Sequence, residues 1–317
     1  MTIRQLTLRA TALAAAVAVA GSAALAQTAA PATIRVVASA GDDLLPFWYA
    51  QSTGMFRAAG LNVVLDKAAS GAVATQAIVG GADDIGRVSL ISLVSAHVRG
   101  IPFVLIAPAA IHRKQTSVND GVLVAAGAPY RSVTDLQGKT VSSTELGSIG
   151  ALGLRALIDA QGGDSSTLHW VELPVSAAAA ALEAGRIDAG ISNEPSLSRD
   201  LAGGKVRVLA DMLDGYRGEI LEGAYFSMRD YAVANRDAVA RFTRVLREAS
   251  VYANAHVNDL LSLLIANTAL DPDVAARMHH ALIGVSFDPS QVQPVVDVAA
   301  KYGVIPHGFD AREMFLR

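Results

Sequence analysis

Two short stretches of this sequence repeat each other. Residues 77–86 read AIVGGADDIG, and residues 181–190, which begin 104 positions later, read ALEAGRIDAG. Each copy predicts the end of a helix, a glycine, an aspartate and then a strand with a second glycine. Gly81 and Gly185 suit the left-handed residue that ends a helix. A chance match is the alternative in a chain rich in Ala and Gly; a true repeat predicts two similar α/β halves.

Short β-type runs alternate with helical patterns on both sides of the repeat. The runs cover residues 34–37, 63–65, 85–88, 103–107, 122–125, 140–142, 168–173, 189–191, 206–209 and 224–228. Such alternation predicts parallel sheets covered by helices. After Met228 the pattern turns wholly helical, and Asp271 and Asp288 each precede a proline that fits the first position of a helix.

The composition excludes several classes of protein. The 317 residues include no Cys, so disulfide scaffolds, Cys-based metal sites and thiol nucleophiles are ruled out. A formal net charge of -3 provides no basic field for nucleic acid. Since 52% of the residues are hydrophobic, low-complexity disorder is excluded as well.

The first 26 residues have the features of a secretory signal peptide. Arg4 and Arg9 precede a small apolar stretch at residues 10–19, and Ala24 and Ala26 are the small side chains that signal peptidase requires. The stretch is too short and too rich in Ala for a membrane span. We expect cleavage after Ala26 and a periplasmic protein without a membrane anchor.

The paired halves predict where a ligand binds. Open α/β sheets bind ligands beyond the carboxyl ends of their strands, beside helix N-termini, so we expect a crevice between the halves. The candidates in the first half are Asp42, Leu45, Trp48, Ser70, Gly71, Ser89, Leu90 and Tyr225. The candidates in the second half are Thr144, Gly147, Ser148, Ile149, Asn193 and Glu194. Ser89 and Asn193 occupy equivalent positions of the repeat.

Some of these residues have a structural alternative. Ser70 and Ser148 precede helices, where they either present hydroxyl and backbone N–H groups to an anion or only cap the helix. Trp48 either stacks on an apolar ligand or packs in the core. Of Tyr225 and Phe226, one is expected to line the crevice while the other packs.

The charged candidates also leave two interpretations. Asp42 and Glu194 favour a cationic or hydrogen-bond-donating ligand, or are solvated loop charges. For Asp43 we prefer the loop charge. Arg87 either meets an anionic ligand or pairs with a neighbouring carboxylate such as Asp84, and the pairing is preferred.

No catalytic residue, cofactor or metal site is expected. His279 and His280 are adjacent, whereas two ligands on one helix need a spacing of three or four. The chain has no G-x-S-x-G elbow for a hydrolase nucleophile. The pattern therefore favours a binding protein over an enzyme.

An ordered set of short motifs resembles a known family. The matching segments are residues 46–51, 54–56, 60–63, 70–86, 135–139, 147–148, 182–190, 194–195 and 204–209. In this order they resemble the periplasmic substrate-binding proteins of ABC importers, in the nitrate, sulfonate and taurine group, which includes binders of thiamine pyrimidine precursors. The resemblance covers about residues 33–260. Asn193 departs from the pattern, because this position is often aromatic in the family.

The resemblance implies a two-lobed type II periplasmic-binding-protein fold. Each lobe would be a mixed, mostly parallel sheet flanked by helices, with lobe one at residues 27–112 plus 223–317 and lobe two at 113–222. A small organic ligand, expected to be anionic and similar to a sulfonate or an aromatic acid, would bind in the cleft and close the hinge. The partner would be the inner-membrane ABC permease with its ATPase, and the protein a monomer.

Two other functions fit the same fold. One is an enzyme related to thiamine pyrimidine precursor synthesis, but that synthase carries a Cys-rich motif that this chain lacks. The other is a ligand-sensing subunit of a membrane receptor, which the sequence does not separate from import.

Overall fold

The computed structural model describes residues 30–114 and 118–316, so the expected signal peptide lies outside the described residues. From Ala32 onward the chain forms one compact unit. Its strands are β1 (Ala32–Ala38), β2 (Leu61–Lys67), β3 (Ile85–Ser89), β4 (Phe103–Pro108), β5 (Ala110–His112), β6 (Asp120–Ala125), β7 (Thr140–Ser143), β8 (His169–Glu172), β9 (Ala189–Asn193), β10 (Val206–Asp211), β11 (Ile220–Leu221), β12 (Gly223–Met228) and β13 (Leu282–Ile283). All ten strands expected from the sequence are present.

The helices fill the intervals between strands and most of the C-terminal third. They are α1 (Leu45–Ser52), α2 (Met55–Ala58), α3 (Gly71–Val79), α4 (Leu90–Val98), α5 (Ile149–Ala160), α6 (Val175–Glu183), α7 (Ser196–Ala202), α8 (Arg229–Ala234), α9 (Arg236–Ala255), α10 (Leu261–Thr268), α11 (Pro272–Arg277) and α12 (Gln293–Lys301). Asp271 caps α11 by accepting from the backbone N of Asp273 and Val274, as expected. The part after Met228 is not wholly helical, because β13 interrupts it.

Two five-stranded sheets share one topology. The first has the order β2-β1-β3-β12-β4 and the second β10-β6-β9-β7-β8. In the first sheet β12 is antiparallel to both neighbours, so the other four strands point the same way. In the second sheet β6 has the same role. Each sheet is therefore mixed and mostly parallel, as the sequence predicted.

The repeat supplies the central strand of each sheet. Gly81 and Gly185 leave their helices with φ of 71° and 65°, as predicted. The Oδ2 atom of Asp84 accepts a hydrogen bond of 2.8 Å from the backbone N of Arg35, and Asp188 accepts one of 2.9 Å from the backbone N of Thr140. The repeated aspartate thus fastens the start of the central strand to its parallel neighbour in both halves.

The strand glycines of the repeat allow close packing. A Cβ atom at Gly86 would lie 2.6 Å from Cζ of Phe226, whereas one at Gly190 would lie 3.0 Å from Oγ of Ser142. Contacts below 3 Å force neighbouring atoms to move, and overpacking of this kind costs about 1–3 kcal/mol.

We expect Gly86→Ala to lower the free energy of unfolding by about 1–3 kcal/mol, and Gly190→Ala by less, because only Gly86 meets a rigid ring inside a filled core. Urea denaturation measures both. Gly127→Ala is the control, since no atom lies within 4 Å of a Cβ at that position. Equal losses at Gly86 and Gly127 would contradict the packing argument.

Two connecting segments join the sheets and pair with each other. The first runs from β4 to β6 and contains β5, and the second runs from β10 to β12 and contains β11. β11 and β13 both pair with β5, which makes a small three-stranded sheet. The entry points of β6 and β12 therefore lie close together at the junction of the two halves.

Candidate functional site

A cavity of about 370 Å³ opens where the carboxyl ends of the sheets meet. Its wall on the side of the first sheet contains Ala40, Asp42, Asp43, Arg87 and Glu222. Its wall on the side of the second sheet contains Asn119, Asp120, Asn193 and Glu194. We call this space the central cavity. It lies where the topology of paired α/β sheets predicts a ligand.

A second cavity of about 310 Å³ adjoins the central cavity. The two share Asp42, Asn119 and Ala281 in their linings, and Leu45 and Met278 add apolar surface to the second. This side cavity offers room for an apolar body next to the polar groups of the central one.

The reversed strands bring acidic residues to the same edge. In an antiparallel neighbour the first residue, not the last, lies beside the carboxyl end of the central strand. Asp120 at the start of β6 accordingly pairs with Asn193 at the end of β9. Glu222 immediately precedes β12, whose first residue Gly223 pairs with Ser89. Asp120 and Glu222 thus reach the same edge from the starts of the two reversed strands, although Glu222 corresponds in register to Asn119 and not to Asp120.

Two lining residues of the central cavity form an ion pair with each other. Arg87 on β3 donates from a guanidinium nitrogen to the carboxylate of Asp43. The side chain of Asp43 is only 3% exposed and that of Arg87 is 18% exposed. Arg87 therefore pairs with a carboxylate, as preferred from the sequence, but the partner is Asp43 and not Asp84, which binds Arg35 instead. Asp43 is accordingly a buried partner of Arg87 and not a solvated loop charge.

Burial raises the pKa of several carboxyls around the cavity. The pKa of Glu222 rises to about 7, first through burial and then through the charge of Asp42. The pKa of Asp120 rises well above its ordinary value through burial and the nearby charge of Glu222. Burial likewise raises the pKa of Asp42, although the backbone N of Ala281 donates to Asp42 at 2.8 Å. Ionising these carboxyls is therefore costly unless a positive charge in addition to that of Arg87 lies beside them.

The segment that precedes β13 is held from both walls. Glu194 accepts from the backbone N of His279 at 3.3 Å, and Asn119 donates to the backbone oxygen of His280 at 3.0 Å. Asp42 binds the next residue, Ala281. Side chains of both walls therefore meet on one short stretch of backbone at the cavity.

The structure brings together only some of the candidate residues. Asp42, Asn193 and Glu194 line the central cavity, and Leu45 lines the side cavity. Ser89 and Leu90 lie directly behind the lining, because the hydroxyl of Ser89 and the backbone N of Leu90 both donate to the backbone oxygen of Glu222.

Two aromatic candidates lie in the core beside the site. Trp48 is 3% exposed and Tyr225 is 2% exposed. The Nε1 atom of Trp48 and the hydroxyl of Tyr225 have no hydrogen-bond partner among the described residues. Phe226, the other member of the expected aromatic pair, is fully buried.

The remaining candidates line neither cavity. Ser70 caps α3 by accepting from Val73, and Gly71 faces Val88. Ser148 caps α5 by accepting from the backbone N of Ala151. Both serines therefore cap helices, which is the structural alternative given for them above. The other three of this group are Thr144, which is exposed, Gly147, which faces Val304, and Ile149, whose backbone oxygen accepts from Tyr216.

The sequence reasoning missed Asn119, Asp120, Glu222 and Ala281 as cavity residues. The signal for Asp120 and Glu222 was available, since each carboxylate stands at the start of a strand that follows a connecting segment. The rule used to locate the site covers only the carboxyl ends of parallel strands, whereas a reversed strand begins at that edge.

Two further properties concern the described residues only. In residues 30–114 and 118–316, no helix combines the length and the apolar character that a membrane crossing needs. Within the same ranges, no group of three or more His, Asp or Glu side chains is arranged to hold a metal ion.

Comparison with known proteins gives the family. A sequence model of the NMT1/THI5-like family matches residues 42–258, well over half of the chain. The chain belongs to the NMT1/THI5-like family. No curated protein matches this NMT1/THI5-like sequence at a significant level.

Solved structures resemble the NMT1/THI5-like chain over almost its full described length. The aliphatic sulphonate binding protein SsuA of Escherichia coli is 22% identical with a TM-score of 0.76, covering 90% of this chain and 92% of that one. SsuA of Xanthomonas axonopodis pv. citri, solved with MOPS, is 21% identical with a TM-score of 0.71, covering 91% and 99%. A Candida albicans protein described as having the generic periplasmic binding protein fold is 12% identical with a TM-score of 0.67, covering 88% and 92%. The periplasmic-binding fold expected from the sequence is confirmed.

Proposed function

We propose that this protein is the periplasmic solute-binding component of an ABC importer and has no catalytic activity. It captures a small organic ligand in the central cavity, closes over it by a hinge motion and delivers it to the inner-membrane permease with its ATPase. Its lobes are residues 27–112 plus 223–317 and residues 113–222. The mature monomer begins after Ala26.

The observation that carries this proposal is a polar cavity with one wall from each sheet. A ligand that touches both walls binds the closed form better than the open form, and that difference in affinity drives closure. The connecting strands β5 and β11 are the two crossings about which the halves would turn. Asp42, Asn193 and Glu194 are the candidate residues that we propose to contact the ligand.

The structural neighbours support a solute-binding role. Two of them are named as sulfonate-binding proteins, and both share the fold of this chain along at least nine-tenths of its length. The lining of the central cavity is mostly acidic here, so we propose a small organic solute without assigning it the anionic group expected from the sequence.

The test is retention of small molecules by the purified mature chain. The protein is incubated with a low-molecular-weight cell extract and washed, and the retained compounds are released and identified by mass spectrometry. Asn193→Trp fills the central cavity from an exposed position, and we expect it to abolish retention. Asn62→Trp, an exposed position on β2, is the matched control and should retain the same compounds. Equal retention by both variants would reject the cavity as the binding site.

A further inference from the structure

The central cavity has far more carboxyl groups than cationic groups in its lining. Five carboxylates line it, from Asp42, Asp43, Asp120, Glu194 and Glu222, against the single guanidinium of Arg87. Arg87 is already paired with the buried Asp43, and each group cancels the charge of the other. Four carboxylates therefore lack a cationic partner among the described residues, and each is within reach of anything bound in the cavity.

The four free carboxylates differ in their present hydrogen bonds. Glu194 accepts from the backbone N and hydroxyl of Ser198 as well as from His279. Asp42 accepts from Ala281. By contrast, no hydrogen bond between described residues ends on the carboxylate of Asp120 or Glu222. The acceptor capacity of these two carboxylates is therefore not used by the described residues.

A further acceptor lies buried on the same face of the first sheet. Tyr225 is directly opposite Arg87 in the antiparallel pair of β12 and β3, so both side chains project from one face. Arg87 lines the central cavity from that face. The hydroxyl of Tyr225 is buried near Arg87, lines neither cavity and has no hydrogen-bond partner among the described residues. A buried polar group in that state is costly.

These groups require a ligand that donates hydrogen bonds and brings positive charge. An anion would find no free cation in the cavity lining that the structure describes, because the one guanidinium there is already paired with Asp43. An ammonium or amidinium group carries several N–H donors and no acceptor, which matches carboxylates that have no donor of their own. A volume of about 370 Å³, widened by the adjoining side cavity, suits a small molecule with a modest apolar body.

We infer that the central cavity binds a small organic cation, with an ammonium or amidinium group held between the carboxylates of Asp120 and Glu222. This inference rests on the proposed function, because it names the ligand class of the same site. The cation lies between a carboxylate at the start of β6 in the second sheet and one that immediately precedes β12 of the first sheet, so it offsets the repulsion between them.

The experiment compares ligands of matched shape and opposite charge. Isothermal titration calorimetry at pH 8 is run on the full mature chain with the cations benzamidinium, agmatine and choline, with the anions benzoate and benzenesulfonate, and with calcium chloride. We expect binding by at least one organic cation and by neither anion. Binding by an anion alone, by calcium alone or by none of the probes overturns the inference.

Two variants identify the carboxylates. Glu222→Gln and Asp120→Asn keep the shape of each side chain and remove its charge, and each is expected to weaken the binding of the organic cation about tenfold or more. Glu183→Gln is the matched control, since Glu183 pairs with Lys205 on the surface of the second half and is expected to leave the affinity unchanged. Unchanged cation affinity in both cavity variants rejects the assignment.

The same variants separate this inference from the proposed function. Any compound retained by the mature chain from cell extract is titrated against the wild type and Glu222→Gln. A cation loses affinity in the variant, whereas an anion gains affinity because a repelling charge has gone. A gain leaves the solute-binding function intact and overturns the cation inference. If no compound is retained, the proposed function fails first.

Discussion

Replacing Arg87 with methionine is expected to lower the free energy of unfolding by about 3–5 kcal/mol. The physical reason is the partner that remains. Asp43 is only 3% exposed, and it would be left as a buried carboxylate without its cation. Methionine keeps much of the apolar stem of the arginine, so the loss reports the charge and not a void. Urea denaturation at pH 7.5 measures it.

A second ion pair in the same sheet is the control. Arg35 on β1 binds Asp84 at 2.8 Å, but its side chain is 44% exposed, so Arg35→Met should cost no more than about 1 kcal/mol. Adding Asp43→Asn to Arg87→Met should restore most of the lost stability, because it removes the uncompensated charge. A loss at Arg87 no larger than the loss at Arg35 would show that Asp43 is not isolated from solvent.

The fold could be predicted because its signals are local. Gly81 and Gly185 require a left-handed backbone, and the repeated aspartates bind the first backbone N–H groups of a neighbouring strand. Such features depend on residues close in sequence or on one adjacent strand. The antiparallel direction of β12 does not depend on such local features. It is decided by how the chain re-enters the first sheet after it has passed through the second.

The site could be predicted only where it follows a parallel strand. Asn193 ends β9, Glu194 follows it, and Asp42 follows β1, so the sequence predicts all three. Asp120 and Glu222 reach the same edge from the starts of reversed strands. The capping serines Ser70 and Ser148 show the opposite error, since a helix start in the sequence looks the same whether or not it borders a cavity.

Glu222→Gln is expected to stabilise the ligand-free protein by about 2 kcal/mol at pH 8 and to have little effect at pH 5. Burial and neighbouring carboxylates raise the pKa of Glu222 to about 7 in the folded protein, from an ordinary value of 4.5. Between these values the folded state holds a proton that the unfolded chain has released. The stability contributed by this group is therefore present below about pH 4.5 and is lost as the pH rises through 7.

The quantity to measure is the difference between variant and wild type across pH, because titrating groups remote from the cavity contribute equally to both and cancel. Asp120, whose pKa is raised by burial and by the charge of Glu222, adds to the difference in the same direction. Urea unfolding at pH 5, 6, 7 and 8 without ligand gives four such differences, and they should grow with pH. Glu183→Gln, on the surface, should give a small difference that stays flat. A flat difference for Glu222 as well would mean that its carboxylate is already solvated in the empty cavity.

The stability difference for Glu222→Gln is expected to rise with pH, and the same variant is expected to bind the cation more weakly. The two results together would mean that the charge of Glu222 destabilises the empty protein and serves to contact the ligand. A carboxylate that served only the fold would show the opposite sign in the first measurement.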